Sequence, residues 1–207
     1  LVSQERVGAL AKREFNAKVF VSHPYGNSAV LGDFDKIESE HLRQFHANKV
    51  NNGCADLIIS GKLAEKETEA LMSSLARFKI RNNLPLIGTN EQIESHPGRY
   101  VVPKPDALQS AIMIGKQMFD RKHPDFPAMQ VLCTVLGGYF GSRLMANIRE
   151  DKGYTYGIYS SLTPRSGTGS FSISCEVGAE VCAAALKEIY FEVEKLRNEP
   201  VPEAELA

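Results

Sequence analysis

The sequence predicts an α+β fold in which helices are layered on a mixed or mostly antiparallel sheet. Two observations support this prediction. Segments with apolar residues at helical spacing alternate along the chain with short strand-like segments. Two of those strand-like segments, 154–162 and 169–177, are predicted to form an antiparallel hairpin joined by the long loop 163–168. Helices packed against one face of such a sheet would bury its apolar side.

The composition excludes several functional classes. The chain has 207 residues, with 24 basic against 25 acidic side chains and a net charge of -1, which argues against electrostatic binding to nucleic acid or to an anionic membrane. Hydrophobic residues at 43% and charged residues at 24% exclude disordered and collagen-like chains. The longest mostly apolar stretch, 129–140, has 12 residues, whereas a membrane span needs about 20.

The first 80 residues predict the order helix, helix, strand, helix. Apolar residues recur at helical spacing over 4–20, 35–48 and 65–78. The run 56–60 predicts a short buried strand. Between the first two helices, His23-Pro24-Tyr25-Gly26 predicts a loop, because proline keeps the residue before it out of the helical conformation and glycine permits a turn.

Segment 81–98 is predicted to be a linker because it contains seven Asn, Pro and Gly residues. Beyond it we expect strands at 99–102 and 110–118, helices at 126–135 and 142–151, the hairpin, and a long amphipathic helix at 179–197. The chain is therefore divided into 1–80, the linker 81–98, and 99–207.

The cysteines do not form a metal or redox motif in the sequence. Cys54, Cys133, Cys175 and Cys182 lie 79, 42 and 7 residues apart, so no pair has the spacing of a zinc knuckle or a Cys-x-x-Cys pair. We expect reduced, buried thiols.

Five spaced elements within 22 residues carry a family resemblance. They are Leu136-Gly137-Gly138, Ser142-Arg143-Leu144, Ile148-Arg149-Glu150, Lys152-Gly153 and Tyr156-Gly157. This segment resembles the second half of the insulinase and pitrilysin family of zinc peptidases. The upstream His23-Pro24-Tyr25-Gly26 and Ser60-Gly61 resemble two further landmarks of the same family. The resemblance implies the mitochondrial-processing-peptidase-like metallohydrolase fold, with 1–80 as the end of one structural half and 99–207 as the start of the next.

The resemblance also implies a function and two site residues. In that family an amino-terminal half holds zinc on a His-x-x-Glu-His motif, and a similar non-catalytic half closes over the peptide substrate. Arg149 and Tyr156 match an arginine and a tyrosine, seven residues apart, that reach the bound peptide. An arginine fork can donate to the carbonyls of an extended peptide, and a tyrosine hydroxyl can donate to the developing oxyanion.

Structural alternatives remain open for these residues. Arg149 could simply end a helix, where its charge suits the helix dipole, and Tyr156 could pack on a sheet. Gly137, Gly138 and Gly141 could form a flexible loop near the cavity, or could only interrupt a helix. Arg143 could contact substrate or its own helix.

The histidines depart from the family pattern, because none of the five stands in a His-x-x-Glu-His arrangement. The closest pair, His41 and His46, would be turned about 140° from each other on a helix. We therefore expect no metal ligands in this chain and no peptidase activity by the chain alone. Zinc would belong to a catalytic half, upstream in the same polypeptide or on a partner subunit.

The expected partners are a peptide substrate, that catalytic half or subunit, and a second copy of the chain if sheet edges are exposed. The alternative function is a catalytically dead scaffold of the same fold. Because the chain starts at Leu1 and stops in what reads as an unfinished helix, we expect a piece of a longer protein. Its location stays open between the cytoplasm and the periplasm.

Overall fold

A computed structural model describes residues 6–50, 58–75 and 93–206. The chain separates into two compact units. The described part of the first unit comprises 6–28 and 93–206, and that of the second comprises 29–50 and 58–75.

The first unit is built on a three-stranded antiparallel sheet. Its strands are β1 (Gln109–Met118), β2 (Thr155–Arg165) and β3 (Thr168–Gly178), in the order β1-β3-β2. The register pairs Ile112 of β1 and Ile158 of β2 with the same residue of β3, Cys175. Helices and an antiparallel sheet confirm the predicted fold class.

The loop of the β2–β3 hairpin is shorter than predicted. The strands continue through Pro164, paired with Gly169, and Arg165, paired with Thr168. Only Ser166 and Gly167 form the turn, and Gly167 has a φ of 75°. A two-residue turn of this kind favours glycine, and proline is accepted because β2 is an edge strand of the described sheet. The predicted long loop at 163–168 is therefore wrong.

Helices cover one face of the sheet and form the core with it. With the helices numbered in chain order, they are α5 (Phe126–Gly137), α6 (Met145–Asp151, wound as a π-helix) and α7 (Cys182–Asn198). A short helix α8 (Glu203–Leu206) ends the described chain. Alternate strand residues point into this core, as period-2 patterning requires. The buried core residues are Ile112, Leu136, Leu144, Met145, Ile148, Ile158, Ile173, Cys175, Val177, Ala185 and Ile189.

Helix α1 (Val7–Val19) packs on β1 and β3. Phe15 lies against Gly115 so closely that a Cβ atom there would be 2.9 Å from the ring. After α1, residues Pro24–Gly26 form a short 3-10 helix with His23 as its N-cap, at the position where the motif predicts a loop. The hydroxyl of Tyr25 donates to the Ser166 carbonyl at 3.4 Å, so this turn contacts the tip of the hairpin.

The predicted strand at 99–102 is wrong, because these residues belong to no strand of the described sheet. Nearby, the Val21 amide donates to the Glu94 carbonyl at 3.0 Å, and the His96 amide donates to the Lys18 carbonyl at 2.8 Å. These bonds attach 94–96 to the end of α1. Most of the predicted linker 81–98 lies outside the described residues, and the division of the chain at that segment stays a prediction.

The second unit is helical where it is described. It contains α2 (Leu31–Phe34), α3 (Ser39–Phe45) with a π-helical continuation (His46–Val50), and α4 (Glu65–Leu75). The predicted helix 65–78 is thus confirmed as far as 75. Of the predicted strand 56–60, residues 56 and 57 lie outside the described chain, and 58–60 are not in a strand.

Among all the described residues, no helix is long and apolar enough to cross a membrane.

Candidate functional site

Buried side chains that precede Arg149 in the chain anchor helix α6 in the core. Leu144, Met145 and Ile148 are at most 2% exposed and belong to the core. Arg149 follows directly in the chain, and its side chain is 33% exposed. The buried neighbours therefore anchor the backbone of a residue whose side chain still reaches solvent.

The Arg149 side chain has two contacts. Its Nε lies 3.4 Å from Oε1 of Glu150. Its guanidinium carbon lies 4.5 Å from the centroid of the Phe140 ring, within cation–π distance. No hydrogen bond within the described chain engages its two terminal nitrogens, Nη1 and Nη2.

The glycines around Phe140 differ in their surroundings. Gly137 is buried at the end of α5, where a Cβ atom would lie 2.6 Å from the Ser160 backbone nitrogen. Gly138 and Gly141 are exposed, and Gly141 lines a cleft of ≈ 740 Å³ between α6 and α7. Gly137 thus permits close packing of α5 on β2, whereas Gly141 borders a cavity.

The segment from Arg149 to Tyr156 reverses direction tightly. The Tyr154 amide donates to the Ile148 carbonyl at 3.0 Å, and Gly153 makes the turn with a φ of 65°. A glycine suits that conformation because it has no Cβ to clash. The chain therefore turns back after α6, and the residue just before β2 is hydrogen-bonded to the last turns of that helix.

Tyr156 lies in an irregularity of β2 between Thr155 and Ile158. The hydroxyl of Thr155 bonds the Glu176 carbonyl at 2.7 Å, which fixes the strand on one side of it. Irregularities of this kind redirect a side chain away from the regular alternation. Tyr156 is 92% exposed and borders a groove of ≈ 710 Å³ between α1 and the polar face of the sheet. It does not pack on the sheet, contrary to the structural alternative.

The structure places both predicted site residues in one unit, at the two ends of the tight reversal. Within the described residues their side chains make no bond to each other. Both side chains reach solvent from a hydrogen-bonded backbone, so each can donate to a third molecule.

Arg143 has a different environment, although it belongs to the same sequence signature. Its side chain is 9% exposed and makes three hydrogen bonds to the Glu205 carboxylate, at 2.7, 3.1 and 3.2 Å. It therefore joins the start of α6 to α8 and is not free to meet substrate. The sequence gives no sign of this pairing, because the partners are 62 residues apart.

The described residues do not fit a zinc site. They contain no group of three or more His, Cys, Asp or Glu side chains that could hold a metal ion. The Nδ1 atoms of His23, His41 and His123 accept backbone amides in turns and at a helix start. Those nitrogens are thus engaged in local structure.

The two buried thiols have the environment of core residues. Burial raises the pKa of Cys133 to about 11. Burial, with smaller contributions from Cys182 and Glu176, raises the pKa of Cys175 to about 12. Such thiols remain protonated and unreactive at neutral pH. Cys54 lies outside the described residues.

Comparison with known proteins identifies the class of this fold. The family described as "Peptidase M16 inactive domain" matches residues 36–207, and the chain belongs to that family. This confirms the resemblance to zinc peptidases of the insulinase and pitrilysin type.

Two relatives and one solved structure illustrate the match. A protein of Mycobacterium leprae named an uncharacterized zinc protease is 27% identical over 165 residues, covering 77% of this chain and 37% of that protein. A probable inactive metalloprotease of Bacillus subtilis is 22% identical over 178 residues, covering 86% and 41%. The crystal structure of a peptidase M16 inactive domain from Pseudomonas fluorescens is 27% identical with a TM-score of 0.77, covering 99% of this chain and 50% of that one.

The chain thus spans less than half the length of these two curated relatives. It is an inactive-domain region of a protein resembling zinc proteases.

Proposed function

We propose that this chain forms part of the wall of a peptide-binding cavity, and that Arg149 and Tyr156 bind the backbone of an extended peptide. Hydrolysis of that peptide is supplied by residues outside the described chain, in a catalytic half or a partner subunit. The observation that carries the proposal is the placement of two solvent-facing donors at the ends of one hydrogen-bonded chain reversal.

Arg149 has the donors that a peptide carbonyl needs. Glu150 approaches Nε and the guanidinium carbon lies over the Phe140 ring, while no hydrogen bond from the described residues engages Nη1 or Nη2. A hydrogen bond from a charged donor stabilises a complex by about 1.5–3 kcal/mol. Arg149 therefore supplies most of the expected affinity and fixes the register of the peptide.

Tyr156, seven residues further along the chain, supplies a neutral donor. Its side chain is almost fully exposed, so its hydroxyl can turn toward a ligand at little desolvation cost. A neutral hydrogen bond to a ground-state carbonyl contributes about 0.5–1.5 kcal/mol. The hydrogen bond from the same hydroxyl would be stronger to the negatively charged oxygen that forms when the carbonyl is attacked.

The catalytic group must come from elsewhere, because the described residues contain no candidate metal cluster. Zinc proteases among the named relatives support a zinc-bearing catalytic half as the partner. That half could belong to the same polypeptide or to a separate subunit. A second copy of this chain could also pair with an exposed sheet edge.

The second candidate is a scaffold of the same fold that binds no peptide. The relative named as a probable inactive metalloprotease favours it. A scaffold has no use for a free arginine edge and an exposed tyrosine at this spacing, and for that reason we prefer the peptide-binding function.

The test is fluorescence anisotropy of a fluorescein-labelled pool of random 12-residue peptides with acetylated and amidated ends, titrated with the chain. Capped ends leave backbone groups and side chains as the only ligands. We expect Arg149→Ala to weaken binding at least about tenfold and Tyr156→Phe about two- to tenfold.

Matched controls come from α7. Arg197 is 76% exposed and near a glutamate, and Tyr190 is 56% exposed. Arg197→Ala and Tyr190→Phe should bind the pool as the wild type does. No binding by the folded wild type would favour the scaffold, and equal losses in site and control variants would refute the assignment of the two residues.

A further inference from the structure

Phe140 is an exposed aromatic residue with a defined partner. Its side chain is 60% exposed, yet its ring lies 4.5 Å from the guanidinium carbon of Arg149. An arginine prefers to stack on an aromatic face because the ring carries negative charge density there. The sequence signature around Arg149 gave no role to Phe140.

The loop that carries Phe140 is fixed by hydrogen bonds. The carbonyl of Tyr139 accepts both the amide of Ser142, at 3.2 Å, and its hydroxyl, at 2.6 Å. Ser142 is only 1% exposed, so these bonds are shielded from water. The Gly138 amide continues the helix bonding of α5 to the Thr134 carbonyl at 2.9 Å. Both ends of the loop are thereby held.

Two of the described residues contact the Arg149 guanidinium. Its central carbon lies over the Phe140 ring, 4.5 Å from the ring centroid, and Oε1 of Glu150 lies 3.4 Å from Nε. The guanidinium is planar by resonance, and a contact that fixes the orientation of this plane lowers the conformational entropy lost when the remaining donors meet an acceptor.

We propose that Phe140 is a positioning residue: its ring holds the Arg149 guanidinium with the Nη1 and Nη2 edge presented to a backbone carbonyl of a peptide. This inference rests on the proposed function and deepens it. The loop with Gly138 and Gly141 then serves to bring an aromatic face beneath the arginine.

Two variants separate stacking from packing. Phe140→Leu keeps an apolar side chain but removes the aromatic face, and Phe140→Tyr keeps the face. Tyr139→Leu is the matched control, because Tyr139 is the neighbouring aromatic residue and is 47% exposed. Each variant is measured in the complete chain by two methods: NMR of the Arg149 side-chain resonances, and anisotropy with the capped peptide pool.

We expect Phe140→Leu to remove the ring-current shift of the Arg149 side-chain protons and to weaken peptide binding about two- to fivefold. Phe140→Tyr should retain both properties, and Tyr139→Leu should change neither. Wild-type shifts in Phe140→Leu would overturn the proposal, as would equal weakening by Leu and Tyr at position 140.

The measurements distinguish a failure of peptide binding from a failure of the positioning role of Phe140. If the folded wild type binds no peptide, the proposed function fails and Phe140 positions nothing for a ligand, even where the NMR shift shows that the stack exists. If the wild type binds and Arg149→Ala weakens binding while Phe140→Leu does not, only the positioning role is refuted.

Discussion

The two ends of α6 carry arginines with opposite surroundings. Arg143, just before the helix, is 9% exposed and tied to Glu205 by a fork of short hydrogen bonds. Arg149, near its other end, is 33% exposed and keeps an open donor edge. The same residue type, six positions apart, is thus bound within the structure at one end, whereas at the other its terminal nitrogens have no hydrogen-bond partner among the described residues. Partners and burial distinguish the two roles, and residue identity does not.

The buried side chains between the two arginines are the first place to test this comparison. Ile148 is fully buried and directly precedes Arg149. We expect Ile148→Ala to lower the free energy of unfolding by about 3 kcal/mol, because it removes apolar contacts and leaves a cavity. Urea denaturation followed by circular dichroism measures the loss.

A control for this substitution is available on the exposed surface. Val131→Ala in α5 removes apolar atoms from a residue that is 52% exposed, and should cost well under 1 kcal/mol. Similar losses in the free energy of unfolding for the two variants would show that α6 is not anchored by its buried face.

Arg143 should have the next largest effect. We expect Arg143→Ala to destabilise the chain by about 1.5 kcal/mol, since it breaks a charge-assisted fork that is largely shielded from water. Glu205 is 35% exposed, so its carboxylate can be rehydrated, and this limits the cost. Thermal and urea unfolding of the variant provide the measurement.

Arg143→Lys and a double-mutant cycle with Glu205→Ala make this prediction sharper. Lysine keeps the charge but not the fork, so its loss should be intermediate. A coupling free energy near zero between positions 143 and 205 would show that the fork does not join α6 to α8 in solution.

The sequence predicted the sheet strands and helices of the first unit well because each follows a simple period. The alternation at 110–118 became β1, and the helical spacing at 179–197 became α7. It failed at 99–102, where a short apolar run finds no described strand partner, and at 163–168, where Pro164 and Gly169 pair as strand residues. Local composition suggests a loop at that point, but the register of the hairpin overrides it.

The candidate site was predicted only in part, for a related reason. The spacing of Arg149 and Tyr156 can be recognised along the chain, whereas the contacts that give each residue its role come from other segments. The ring of Phe140 and the carboxylate of Glu205 lie 9 and 62 positions from the arginines that they meet. Such pairings depend on the folded path of the backbone, and no periodicity in the sequence indicates them.

Of these substitutions, Arg149→Ala should have the smallest effect on the free energy of unfolding. Its ion pair with Glu150, which is 51% exposed, is screened by water, and its stack on Phe140 is near the surface. We expect a change in the free energy of unfolding within about 0.5 kcal/mol, measured in the same urea experiment as Arg143→Ala. A loss as large as that of Arg143→Ala would mean that Arg149 is also a structural residue. A small loss together with weakened peptide binding is the combination that only a ligand-binding arginine produces, because a structural role lowers stability before it lowers affinity.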